Sequence, residues 1–212
     1  MLLAHLPKPH LVLRRATPAQ PLRVLVSGCI VGELCGVDAT DNGMGGCLAD
    51  FLALPALTVC TFCPEDVGMG TPRTLPDLHD GDGFAVLVGS ARVVDDLGND
   101  CTVAMMQGAA AMLAFAQQQE IELAVLTDMS GACGSQVISA GCRLDAQRKY
   151  QVGVGVATAM LLRAGFAVVS QRDFRTLDLI RGYLDPKFPT NPALLDHHQT
   201  PWFLQQFGGV SS

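Results

Sequence analysis

Four short apolar runs rich in valine and leucine, spaced along the chain by glycine-punctuated stretches, constrain its fold more than any other feature. They are Arg23–Ser27, Leu57–Thr61, Leu123–Leu126 and Phe166–Ser170, and runs of this length and composition read as β-strands. Segments of helical character lie between and around them. Cys47–Leu54 is ended by Pro55, Val103–Gln119 is Ala- and Met-rich with Thr102 as its expected cap, and Gly153–Arg163 is closed by Gly165. Strands alternating with helices imply a mostly parallel sheet, because a parallel neighbour is reached only through a crossover. The expected fold class is α/β: a single Rossmann-like domain with a mostly parallel sheet flanked by helices, plus a C-terminal extension. Ala85–Val88 is expected to add a strand, and Val67–Gly83 to form a long turn-rich loop.

The organisation expected from these patterns is a Pro-rich lead over 1–22, an α/β domain over 23–171 and an extension over 172–212. The extension carries Asp185-Pro186, Phe188-Pro189 and Asn191-Pro192 with little periodicity, and no role follows from it. With 212 residues, 49% of them hydrophobic, the chain can bury one substantial core. Its apolar stretches fall well short of the roughly 20 residues that cross a bilayer, so no membrane partner is expected. The opening segment contains Leu11–Leu13, but basic residues follow that run and prolines interrupt the segment, unlike a secretory signal, which leaves the cytoplasm as the expected compartment. The 14 Lys and Arg residues are scattered and the formal net charge is -6, which argues against binding duplex nucleic acid.

Eight cysteines are too sparse for a disulfide scaffold, so metal ligation, catalysis or simple burial must account for them. Three share one placement. Cys29 follows the first strand in Ser27-Gly28-Cys29, Cys63 follows the second in Phe62-Cys63-Pro64-Glu65, and Cys133 follows the strand at Leu123–Leu126 in Ser130-Gly131-Ala132-Cys133-Gly134. Loops at the carboxyl ends of parallel strands line one crevice, so residues distant in sequence meet there. Thiolates hold iron–sulfur clusters, and three ligands would leave one iron open to a substrate. Cys60, although spaced Cys-x-x-Cys from Cys63, falls inside a strand and reads as a small buried hydrophobe. His5, His10, His79, His197 and His198 show no ligand spacing and read as solvated side chains.

The order Val24-Leu25-Val26-Ser27-Gly28-Cys29, then Cys63-Pro64-Glu65 with Gly68 and Thr71-Pro72-Arg73, then Ser130-x-x-Cys133-Gly134, resembles the 2-thiouracil desulfurase family. The resemblance continues through Gly98-x-Asp100-x-Thr102 with Gly108-Ala109, and through Gly153-x-Gly155-Val156 with Leu161-Leu162-x-x-Ala164-Gly165. It implies a [4Fe-4S] cluster bound by the three cysteines Cys29, Cys63 and Cys133, with Glu65 and Ser130 as catalytic residues. It further implies a desulfurase that removes sulfur from a small thiolated nucleobase or similar thiocarbonyl heterocycle, the open iron accepting sulfur and Glu65 activating water. Asp38 joins the candidate site as a residue that would orient the ring. The chain departs from the family where Gly36-Val37 replaces a common Arg-Tyr pair ahead of Asp38. It departs again where Gly131-Ala132 replaces Pro-Ser, and where Thr127 replaces a lysine. The alternative is a non-catalytic iron–sulfur or zinc protein that binds a metabolite or carries sulfur.

Overall fold

A computed structural model describes residues 11 and 13–208. His5, His10 and half of the Pro-rich lead lie outside the described residues. In chain order the elements are β1 (Leu22–Ser27), α1 (Ala49–Leu52), β2 (Leu57–Phe62), α2 (Pro64–Met69), β3 (Asp77–His79), α3 (Gly83–Leu87), β4 (Arg92–Val94), α4 (Thr102–Gln118), β5 (Leu123–Leu126), β6 (Val137–Ser139), β7 (Tyr150–Val152), α5 (Val156–Arg163), β8 (Val168–Ser170), α6 (Phe174–Leu184) and α7 (Pro201–Phe207). The fold is α/β. Its centre is a four-stranded sheet of order β2-β1-β5-β8 in which every neighbouring pair is parallel. Val24 sits opposite Val59 on one side and Leu123 on the other. Two antiparallel pairs, β3 with β4 and β6 with β7, lie outside this sheet.

Both sheet faces are buried, which explains why the strands read as continuous apolar runs rather than alternating ones. Side chains still alternate between faces. Leu25, Ala124 and Leu126 pack with Met105, Ala109 and Met112 of α4 and Leu161 of α5. Leu22, Val24, Val26, Leu123 and Val125 pack on the opposite side with Phe51 of α1 and Leu177 and Ile180 of α6. The chain beyond Ser170 therefore covers one face of the sheet. Among the described residues, no helix is long and apolar enough to cross a membrane.

Several local expectations are corrected. Ala85–Val88 is not a strand: most of it lies in α3, where Asp82 Oδ1 accepts from Ala85 N at 3.2 Å and caps the helix. A run of four apolar residues carries too little periodicity to separate the two states. The expected loop over Val67–Gly83 contains the end of α2 and all of β3. The helix expected over Cys47–Leu54 is confined to Ala49–Leu52. Thr102 does not cap α4. Cys101 occupies the cap position, and the Thr102 hydroxyl accepts from Val93 N at 2.9 Å, pinning β4 to the helix start.

Candidate functional site

Three strand ends deliver the chemistry. After β1 the chain makes a tight turn over Gly28–Val31, which leaves Cys29 buried with its Sγ 3.0 Å from Thr127 Oγ1 at the end of β5. After β2, Cys63 becomes the N-cap of α2 and its sulfur accepts from Asp66 N at 3.4 Å. Pro64 takes the first helical position, where its missing N–H costs nothing. The same helix start places Glu65 in its first turn, buried. After β5, the loop over 127–136 carries Ser130 and Cys133. That loop is fixed by α5, whose first backbone N–H groups bond back to it: Val156 N to Gly131 O at 3.0 Å and Ala157 N to Ala132 O at 3.0 Å. Thr158 Oγ1 adds a bond to Cys133 O at 2.8 Å.

Glu65 is the hub. Its Oε2 accepts from Arg73 Nη2 at 2.8 Å and its Oε1 accepts from Ser130 Oγ at 3.0 Å. Ser130 Oγ in turn accepts from the backbone N–H groups of Ala132 and Cys133 at 3.2 and 3.0 Å, so its one donor and both acceptor positions are committed. Arg73 also donates to Cys35 O at 3.0 Å, to Gly70 O at 3.1 Å and to Thr71 Oγ1 at 3.0 Å, while its backbone N–H bonds Val37 O at 2.9 Å. It ties the loop after β1 to the helix after β2.

The four thiols nearest this hub differ in their readiness to ionise. Cys29 is lowered to about 7, chiefly by a hydrogen bond from the Cys35 thiol and further by Thr127, against the opposing effect of burial. Cys63 is lowered by the same Cys35 thiol, with help from Asp66 N and the Arg73 charge. Cys35 is pushed far above the ordinary thiol range, because both neighbours are favoured as the anionic partner and burial adds to the effect. Cys133 is raised by burial first and then by the charge of Cys63. Two thiols are thus shifted toward the anion, while Cys133 is held back by desolvation.

The structure brings Cys29, Cys63, Cys133, Glu65 and Ser130 into one contact network at the carboxyl end of the sheet. Asp38 is not drawn into it. That residue is exposed, and its Oδ1 accepts from the backbone N–H and hydroxyl of Thr40 at 3.2 and 2.7 Å. Two participants were missed from the sequence. Cys35 was signalled by its position in the same strand-exit loop as Cys29, and Arg73 by its place in Thr71-Pro72-Arg73. Thr127, noted only as a departure, touches Cys29 directly.

The reading of all five histidines as solvated is corrected by His197. It is 2% exposed, and its Nδ1 lies 2.6 Å from Asp128 Oδ2. Asp128 Oδ1 accepts from the backbone N–H groups of Ser135, Gln136 and Val137 at 2.9, 3.1 and 3.2 Å. The extension therefore grips the loop that carries Ser130 and Cys133. A turn over His197–Gln199 provides the grip, which the prolines nearby did not announce.

Fold and site together define an α/β protein with a group of thiols at the carboxyl ends of a parallel sheet, gathered around a buried glutamate. The chain belongs to the 2-thiouracil desulfurase family, whose family model matches residues 24–173. It is 32% identical over 158 residues to the uncharacterised protein YbbK of Bacillus subtilis strain 168, a match covering 73% of this chain and 99% of YbbK. Among solved structures it is similar to the [4Fe-4S]-dependent thiouracil desulfidase TudS, with a TM-score of 0.62 and 29% identity over 75% of this chain and 97% of that one.

Proposed function

We propose that the chain is an iron–sulfur-dependent desulfurase acting on a thiolated nucleobase or similar thiocarbonyl heterocycle, with Cys29, Cys63 and Cys133 holding a [4Fe-4S] cluster. The observation that carries this reading is a buried Glu65 bonded to Ser130 and flanked by cluster-type thiols from three strand ends. The donor set supports the cofactor, since soft thiolate sulfur is what iron–sulfur clusters take. When bound, the cluster would supply a Lewis-acidic iron for the thiocarbonyl sulfur.

The net reaction replaces sulfur with oxygen: C=S and water give C=O and hydrogen sulfide, with no net oxidation. The chain's own task is to move protons. Glu65 is held by Arg73 through one oxygen and faces Ser130 through the other, an arrangement suited to taking a proton from water. Ser130, as donor to Glu65, would fix the direction in which that carboxylate faces the substrate. Cys35 would stay a thiol and stabilise the neighbouring thiolates, and Asp38 would hold the turn of the loop from which Arg73 is gripped.

The reading is tested by anaerobic cluster reconstitution followed by measurement of sulfide released from 2-thiouracil and related thiolated heterocycles. Turnover is expected, and its absence on every such compound overturns the proposal. Glu65→Gln is expected to keep iron and acid-labile sulfide at wild-type content while turnover falls by about 10²–10⁴-fold, the usual worth of a positioned base. Unchanged turnover removes Glu65 from that role.

A further inference from the structure

The three cysteines assigned to the cluster leave different strand ends, and what surrounds their sulfurs differs. Cys63 Sγ accepts from a backbone group, Asp66 N, at 3.4 Å. Cys29 Sγ instead meets a side chain, with Thr127 Oγ1 at the end of β5 lying 3.0 Å away.

Backbone on both sides sets this contact. Thr127 N donates to Ser27 Oγ at 3.0 Å, and the strands that carry the two residues pair in parallel with Val26 opposite Val125. Cys29 is held by its own turn, through bonds from Gly32 N to Cys29 O at 3.1 Å and from Glu33 N to Gly28 O at 3.0 Å. The hydroxyl is thus brought to the sulfur by the pairing of β1 with β5.

A thiol and a hydroxyl can each donate to the other, but a cysteine that ligates iron has lost its proton. Its sulfur then only accepts, so the Thr127 hydroxyl becomes the donor of a charge-assisted bond. The cluster-free chain already leans this way: Cys29 is lowered first by Cys35 and next, against burial, by Thr127. Cys133, raised chiefly by burial and by Cys63, is lowered by the Ser27 hydroxyl. Each of the two hydroxyls therefore serves a cysteine carried by the other strand. Thr127 stands where the family commonly has a lysine, so this donor belongs to the chain and not to the family pattern.

We propose that Thr127 is a positioning residue that acts through Cys29: its hydroxyl donates to the ligating sulfur, draws charge from it and leaves the cluster iron more electron-poor. Hydrogen bonds to a cysteinyl sulfur favour the reduced, more negative cluster and so raise its reduction potential. The same withdrawal of charge makes the open iron a better acceptor for a thiocarbonyl sulfur. The inference rests on the reading that Cys29 is a cluster ligand.

The test reconstitutes the full-length chain and its variants anaerobically, counts iron and acid-labile sulfide per chain, and reads the cluster's reduction potential by spectroelectrochemical titration. Thr127→Val replaces the hydroxyl with a methyl of similar size, and should hold as much iron as the wild type at a more negative potential. Thr127→Ser keeps the hydroxyl and should stay at the wild-type potential. An unshifted potential in Thr127→Val overturns the inference, as does an equal shift in Thr127→Ser, which would trace the effect to packing. If the valine variant does not fold, Thr127→Ala removes the hydroxyl without adding a methyl beside the sulfur, and the same measurement decides. Sulfide release from 2-thiouracil should fall severalfold in the hydroxyl-free variants, and full turnover at a shifted potential overturns the effect on the open iron. A loaded wild type that shows the shift but releases no sulfide from any thiolated heterocycle overturns the desulfurase reading and leaves the bond from Thr127 standing. A wild type that takes up no cluster overturns both.

Discussion

Cys35 shows how one side chain can prepare others. Its own ionisation is pushed up by hydrogen bonding to Cys29 and Cys63, and those neighbours are the thiols shifted toward the anion. A thiol kept protonated in this way is a hydrogen-bond donor rather than a ligand, so Cys35→Ser should leave iron and acid-labile sulfide per chain as in the wild type. Cys29→Ser, Cys63→Ser and Cys133→Ser should each lose most of the cluster, and metal analysis after anaerobic reconstitution separates the two patterns. Equal loss in Cys35→Ser would make it a fourth ligand. The three strand-end cysteines were legible in the sequence because each sits just past an apolar run. Cys35 and Arg73 were not, because their roles depend on contacts between loops that spacing alone does not reveal: Arg73 reaches Cys35 O across 38 positions of sequence.

At the scale of elements, the site depends on how closely α2 lies against α4. A side chain at Gly108 of α4 would overlap the carbonyl oxygen of Pro64, and one at Gly68 of α2 would overlap Ala104 O. The two helices therefore meet backbone to backbone, and Glu65, next to Pro64, is set by that contact. Gly108→Val is expected to cost about 1–3 kcal/mol through overpacking, and to lower the unfolding temperature and the cluster content together. Thermal unfolding of the cluster-free chain isolates the packing part, and an unchanged midpoint would contradict it. The glycine was visible in the sequence as a motif residue, but its reason was not, since a close approach requires the partner helix. The same limit explains α3. Four apolar residues suit a strand or a helix equally, and the Asp82 cap decided between them.

For the whole molecule, the extension and the α/β domain are joined through a buried charge. Asp128 is fully enclosed, which by itself would push its carboxyl up, yet the hydrogen bond and charge of His197 with the N–H groups of Ser135 and Gln136 hold it below the ordinary value of 3.8. A carboxyl depressed on folding contributes stability that is present above its unfolded pKa and is lost as pH falls through the folded one. The wild type should therefore lose stability as pH drops below about 4, beyond what its exposed carboxylates explain. Asp128→Asn cannot titrate, so its stability should depend less on pH in that range while being lower near neutrality, where the carboxylate that accepts from His197 and three backbone N–H groups is missing. Denaturant unfolding of both proteins from pH 6 down to pH 3 provides the comparison. Parallel curves would mean that Asp128 is not the acid-sensitive joint. Converging curves would show that the loop bearing Ser130 and Cys133 is kept in place by a segment lying outside the family match.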